Sequence, residues 1–299
     1  NMGQKLYFRP TSEGGAGLPA DQKTYDRMAY VWRTAKLGDY NVSVDGGGEN
    51  TNYYLGIGHN NQQSIWNPID FQRTSAKFNL NTKLSNKVTV GSNNTVSAVF
   101  RNPAKAANGP DGTILQSSLN IPTNLPIFDE KGTPLIWGTP DNITVITDES
   151  NIKSKTARYI GNLFLNVDFS EKFRFKSSWG LDYANFDESE YWETDTKVGA
   201  PPVNGRASSS LTRSTNWFNE QTLNYSNNVG KHKFGILIGN TIQGETLQNT
   251  HAYGSNFPSD AFKLISAAAI QSNQESFNEA RLLSFFSGIN YNFADKYLL

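Results

Sequence analysis

The chain has 299 residues, with Lys plus Arg and Asp plus Glu balanced at 27 each, a balance that gives no support to a basic nucleic-acid binder or an acidic tail. Cysteine is absent, which excludes disulfides, thiolate nucleophiles and Cys-ligated metal centres. Hydrophobic residues make up 37% and aromatic residues 12%, with 25 Gly and 12 Pro, a mixture that favours strands and turns over helices. No stretch approaches the roughly 18 apolar residues of a membrane-spanning helix, and residues 1–20 lack the basic start and apolar core of a signal peptide.

Apolar residues recur with a period of two, the signature of a strand with one oily and one wet face. Tyr40, Val42 and Val44 run into the Gly46–Gly48 turn, and Tyr53, Leu55 and Ile57 return. Ala76, Phe78, Leu80, Thr82 and Leu84 alternate with Ser75, Lys77, Asn79, Asn81 and Lys83; after a break the pattern resumes from Val88 to Phe100. A second long hairpin joins Tyr159–Phe169 to Phe173–Tyr183, and a third joins Trp217, Leu223, Tyr225 and Val229 to Phe234, Ile236, Ile238 and Ile242. Leu283, Phe285, Ile289, Tyr291 and Phe293 end the series.

About nine strands follow: 39–45, 51–60, 71–84, 87–100, 156–169, 172–189, 209–228, 232–249 and 280–293, with another beginning at the end of the chain. Their connections alternate between short (46–50, 85–86, 170–171, 229–231, 294 onward) and longer (61–70, 101–155, 190–208, 250–279). An up-and-down meander sends alternate connections to opposite rims, as an outer-membrane barrel separates short periplasmic turns from long extracellular loops. Several strands exceed the roughly 9–11 residues that cross the hydrocarbon. The sequence therefore predicts an all-β, antiparallel up-and-down transmembrane β-barrel in the cell outer membrane, with 1–38 and the longer connections outside and 39–299 forming barrel wall. Its oily faces meet outer-membrane lipid. Lys77, Asn79, Asn81, Lys83, Asp168, Arg174, Lys176 and Asp182 line the lumen, because Arg or Lys facing mid-bilayer lipid costs about 2–4 kcal/mol.

Three stretches carry a family resemblance. Residues 30–60, YVWRTAKLGDYNVSVDGGGENTNYYLGIGHN, place an aromatic-Arg-Thr run before a strand, a glycine turn and a Tyr-rich return. Residues 71–91 follow with Arg73 and the Lys77-Phe78-Asn79-Leu80 run, where the family has R-x-N-L, and residues 281–299 read RLLSFFSGINYNFADKYLL. In these stretches the chain resembles the TonB-dependent outer-membrane receptors of the SusC/RagA type of Bacteroidota. The resemblance implies a partial slice of a barrel of about 22 strands. It also implies active import of a nutrient, a glycan or an oligopeptide. Capture would use a SusD-like surface lipoprotein, and energy would come from TonB through a plug and a TonB-binding segment that this stretch does not contain. Alternatives are a passive porin, a surface-binding outer-membrane protein, or a soluble carbohydrate-binding module.

Within the longer connections, Trp66, Trp137, Tyr191, Trp192, His251 and Tyr253 are the candidate ligand contacts, since flat rings stack on sugars or peptide side chains. Tyr25 and Trp32 lie in the leading segment. The 101–155 segment, rich in proline, and 250–279 are the choices for contacts with the lipoprotein. The phrase LPIFDEKGTP at 125–134 reads as a short hairpin around Glu130–Gly132 and resembles an outside element of the family. Asp141, Asp148 and Glu149 lack the spacing of a calcium hand, and His59, His232 and His251 form no zinc motif. Asp168 and Asp182 are weighed as a glycosidase pair and set aside in favour of wall charges. No enzyme motif, cofactor, metal site or nucleic-acid partner is predicted.

Overall fold

A computed structural model of the chain describes residues 24–103, 114–123, 125–135, 141–149 and 151–298. Ten strands pair in chain order as one antiparallel sheet: β1 (Leu37–Gly47), β2 (Thr51–Gln63), β3 (Asp70–Ser85), β4 (Val88–Asn102), β5 (Asn151–Asp168), β6 (Phe173–Trp192), β7 (Arg206–Val229), β8 (His232–Ser255), β9 (Ile270–Phe293) and β10 (Tyr297–Leu298). The meander is the predicted topology. Within the described residues β1 and β10 do not pair, so the sheet is open rather than closed into a barrel.

The strands are longer than expected. β7, β8 and β9 each run 24 residues. The long connections therefore contract to 64–69, 103–150, 193–205 and 256–269, opposite the short turns 48–50, 86–87, 169–172, 230–231 and 294–296. The correction is largest at 250–279, where Ile270–Glu279 pairs residue by residue with Thr246–Ser255. Both faces of those stretches are polar in sequence, which erases the period-two signal that marks a strand.

Packing is concentrated in the long connections rather than between layers. α1 (Met28–Val31), α2 (Ile114–Leu119) and α3 (Ile143–Glu149) gather Val31, Ile114, Ile143 and Ile146 into a cluster that Met28, Trp66 and Ile69 flank. A second cluster joins Tyr191 and Ala207 to Phe257 and Ala268. The predicted 125–134 hairpin is present. Phe128 bridges Pro134, Asp129 accepts the amides of Lys131 and Thr133, and Gly132 supplies the left-handed residue at φ 83°.

Candidate functional site

Register divides the sheet into two faces without ambiguity. Lys77 pairs with Thr95, and the row continues through Ile160, Asp182, Asn216, Glu245 and Ala280. Three residues along β3, on the opposite pleat, the row from Leu80 crosses Ser92, Leu163, Trp179, Asn219, Ile242 and Leu283. All eight residues predicted to share the polar face do so, since each lies an even number of positions from a member of the first row.

The apolar face is a bounded band. On β6 it runs from Phe173 to Tyr183, roughly 33 Å of strand at about 3.3 Å per residue. Rings crowd the short-turn margin: Phe173 lies 4.6 Å from Tyr225, Tyr225 lies 5.9 Å from Phe234, and His232 sits against Tyr291 and Phe293. Toward the long connections the same face turns charged, with Lys153, Lys155, Asp187, Arg213 and Glu275. The margin falls at Tyr183 on β6 but at Leu283 on β9, which register aligns with Trp179. That drop is about 13 Å over three strands spaced about 4.8 Å apart, so a level band requires the strands to tilt by about 40°. At that tilt the band is about 25 Å tall, the dimension of an outer-membrane barrel's apolar belt. Polar groups inside the band bond to one another. Tyr159 Oη donates to Asn94 Oδ1 at 2.6 Å, Trp179 Nε1 to Ser177 Oγ at 2.7 Å, and Gln221 Nε2 to Ser177 Oγ at 3.0 Å.

On the polar face the central charges are paired across strands. Arg158 forks onto Asp182 at 2.8 and 2.5 Å, and Arg174 Nε reaches Asp168 at 2.6 Å. Register puts Asp168 opposite Arg174, eight residues along β6 from Asp182, roughly 26 Å away at strand spacing and far outside the reach of a carboxylate pair. Arg158 was missed in the sequence, although it occupies the polar phase of β5. Three rings also lie on this face, each opposite a glycine: Phe164 with Gly91, Phe218 with Gly180 and Phe286 with Gly239. A Cβ on those glycines would meet ring atoms at 2.1, 2.1 and 2.4 Å. The rings therefore lie down across the neighbouring strand.

The candidate ligand residues part company. Trp66 stands edge-on to Trp32, 6.5 Å between ring centres, and Trp32 is 58% exposed. His251 and Tyr253 belong to β8 rather than to a loop and stack at 5.9 Å on the polar face. Trp192 is only 1% exposed, and its indole nitrogen donates to Glu190. Tyr191 is 3% exposed on the opposite pleat, edge-on to Phe257, with its hydroxyl donated to Asp260 at 3.0 Å. Its ring packs a connection and offers no open face. Trp137 lies outside the described residues. His59 pairs with Thr74, His232 with Tyr291 and His251 with Ser210, and no group of three potential metal ligands exists among the described residues.

Two connections are held by single polar residues that sequence reasoning passed over. Asp260 accepts the Thr194 amide and hydroxyl as well as Tyr191, tying 193–205 to 256–269. Arg33 donates to the carbonyls of Ser64 and Ile69 at 2.9 and 2.8 Å, to Asn67 Oδ1 at 3.2 Å and to Asp70 Oδ1 at 2.6 Å. A planar fork satisfies these directions and a lysine ammonium does not. Arg33→Lys is expected to loosen the 64–69 connection by about 2 kcal/mol, read as faster amide exchange there while exchange in β2 and β3 holds.

No protein-family profile matches the chain. Two curated relatives from Formosa agariphila align with it, TonB-dependent receptor P3 at 23% identity over 98% of this chain and TonB-dependent receptor P26 at 24% over 94%. The chain is similar to TonB-dependent receptors over nearly its whole length. It spans 30% and 29% of the lengths of those two relatives. Among solved structures, the RagAB peptide transporter superposes with a TM-score of 0.79 at 21% identity, covering 91% of this chain and 32% of that one. The unliganded ferric citrate transporter FecA gives 0.53 at 10% identity, over 86% of this chain and 35% of that one. At such identities these superpositions establish a shared fold, a meander of barrel-wall type.

Proposed function

We propose that the chain is a stretch of the wall of a TonB-dependent outer-membrane importer. Its apolar band faces lipid, its polar face lines the lumen and its long connections stand outside the cell. The observation that carries this reading is the tilted apolar band, whose height and aromatic margin match a lipid slab and whose interior polar groups are satisfied within the sheet, as hydrocarbon demands. Similarity to TonB-dependent receptors supports energy-coupled uptake, and the likeness to the RagAB peptide transporter favours an oligopeptide as the nutrient, with a glycan as the alternative. A SusD-like lipoprotein would meet the 103–150 and 256–269 connections, where Phe262 and Leu264 are exposed. Trp32, Trp66, His251 and Tyr253 remain the ring faces suited to capture.

This stretch has no native cysteine, so single cysteines placed in it, in an intact receptor compared with its unsubstituted parent, test sidedness. A membrane-impermeant maleimide applied to whole cells is expected to label Ser259→Cys, in a long connection, and to miss Glu171→Cys, in a short turn. Labelling of both, or of the turn alone, would reject the orientation. Nutrient uptake is expected to stop when TonB is deleted; uptake that persists would favour the passive porin.

A further inference from the structure

We infer that the polar wall of β2–β4 is an anion track and that the imported nutrient carries carboxylate or sulfate groups. This rests on the import reading above. On the polar phase of these three adjacent strands stand Arg73, Lys77, Lys83 and Arg101 and no carboxylate. All four are exposed, and among the described residues none forms an ion pair: Lys77 sits 5.8 Å from the centre of the Tyr54 ring, and Arg101 donates to Ser154 Oγ at 3.3 Å. The contrast lies next door. On β5 and β6 the arginines of the same face are each matched by an aspartate, Arg158 by Asp182 and Arg174 by Asp168. Further round, β7 carries Arg206 and Glu220 and β8 carries Lys233 and Glu245, again one cation for each carboxylate. The excess of positive charge on this face is thus confined to β3–β4, between the nearly charge-balanced strands β5–β8 on one side and, across β2, Asp39 and Asp45 of β1 on the other.

Between the cations runs a row of amides. Asn79, Asn93 and Asn162 are register partners on β3, β4 and β5, directly below the Lys77 row. They line a groove of about 650 Å3 together with Lys77, while its far side carries Glu245, Arg281 and the arginine-held Asp182. Ammonium and guanidinium groups neutralise an anion and amide N–H groups donate to its oxygens, and the cations of β3 and β4, unpaired among the described residues, are where this face offers both without a carboxylate partner. Lys77 lies four residues from Arg73 and six from Lys83, about 13 and 20 Å along the strand. Those spacings exceed the physiological screening length of about 8 Å. Each cation can therefore engage its own anion, as on an oligomer charged at intervals.

The test uses the intact receptor with its lipoprotein. Binding is compared for a galacturonate hexamer, a sulfated galactan hexamer and a neutral galactan hexamer, and for a Glu-containing hexapeptide against its Gln counterpart. At least one acidic probe is expected to bind about five- to twenty-fold more tightly than its neutral match. The preference should shrink at high salt and collapse toward unity in the Arg73→Gln/Lys77→Gln double variant. Lys87→Gln, in a short turn, should keep it. Which acidic probe responds identifies carboxylate or sulfate, glycan or peptide. Equal binding of acidic and neutral probes overturns the inference, as does a preference that survives the double variant. A double variant that shifts only the melting temperature also overturns it, because the cations would then serve the fold. Uptake that does not depend on TonB instead rejects the import reading and leaves the binding comparison standing on its own.

Discussion

Leu163→Arg is expected to destabilise the folded receptor by about 2–4 kcal/mol, whereas Asn93→Arg, one strand away on the other pleat, should change it by less than about 0.5 kcal/mol. Leu163 is 55% exposed in the isolated sheet and lies in the middle of the apolar band, between Ser92 and Trp179. If lipid covers that face, a guanidinium there loses its water. Asn93 faces the polar groove, where a new cation stays hydrated. Denaturant or heat unfolding of the receptor in bilayer vesicles reads the difference. Equal effects at the two sites would refute the assignment of faces, whatever the sequence similarity.

Gly199→Ala is expected to disorder the 193–205 connection at a cost of about 3 kcal/mol. A Cβ at Gly199 would stand 2.1 Å from the Glu193 carbonyl oxygen and 2.5 Å from that of Trp192. Both atoms are backbone and cannot swing aside as a side chain would. The Gly199 amide also donates to the Thr196 hydroxyl oxygen at 3.0 Å, and its carbonyl accepts the Gly205 amide at 2.7 Å. The turn that seats Trp192 and presents Asp260 with its donors depends on this close approach. Faster amide exchange and new protease cleavage confined to 193–205 and 256–269 would confirm it, while unchanged exchange would rule it out. The short turn 294–296 offers a milder pH response. Lys233, with Asn292, holds the Asp295 carboxyl below the usual carboxylate range. Stability from that contact is present above the ordinary carboxylate pKa and fades as pH falls through the lowered one.

The fold was legible where one pleat is oily. Leu80, Val90, Leu165, Phe175 and Ile238 sit among polar alternates, and each lies in the strand and on the pleat that this alternation predicts. Where the strands rise past the band the signal disappears: Ile270–Glu279 reads as a loop because Gln271, Asn273 and Glu275 are as polar as Ser272, Gln274 and Ser276. Only the ladder with β8 reveals it as strand. The charges of the polar wall were read by phase, but their partners were not, since phase gives the face and register gives the neighbour. Arg158 and Asp182 are 24 residues apart in sequence. Aromatics were the least legible. Tyr191 and Tyr253 look alike in sequence, yet one lies beneath a connection and the other lies on the open face, a difference made by Phe257 and Asp260 from a distant segment.

If the polar face encloses a conduit, the three phenylalanines laid across Gly91, Gly180 and Gly239 bear on the room inside it. Rings reclining on a bare neighbour add grease to the wall without reducing its clearance. Restoring a side chain beneath any of them would prop the ring upright and narrow the passage on that side.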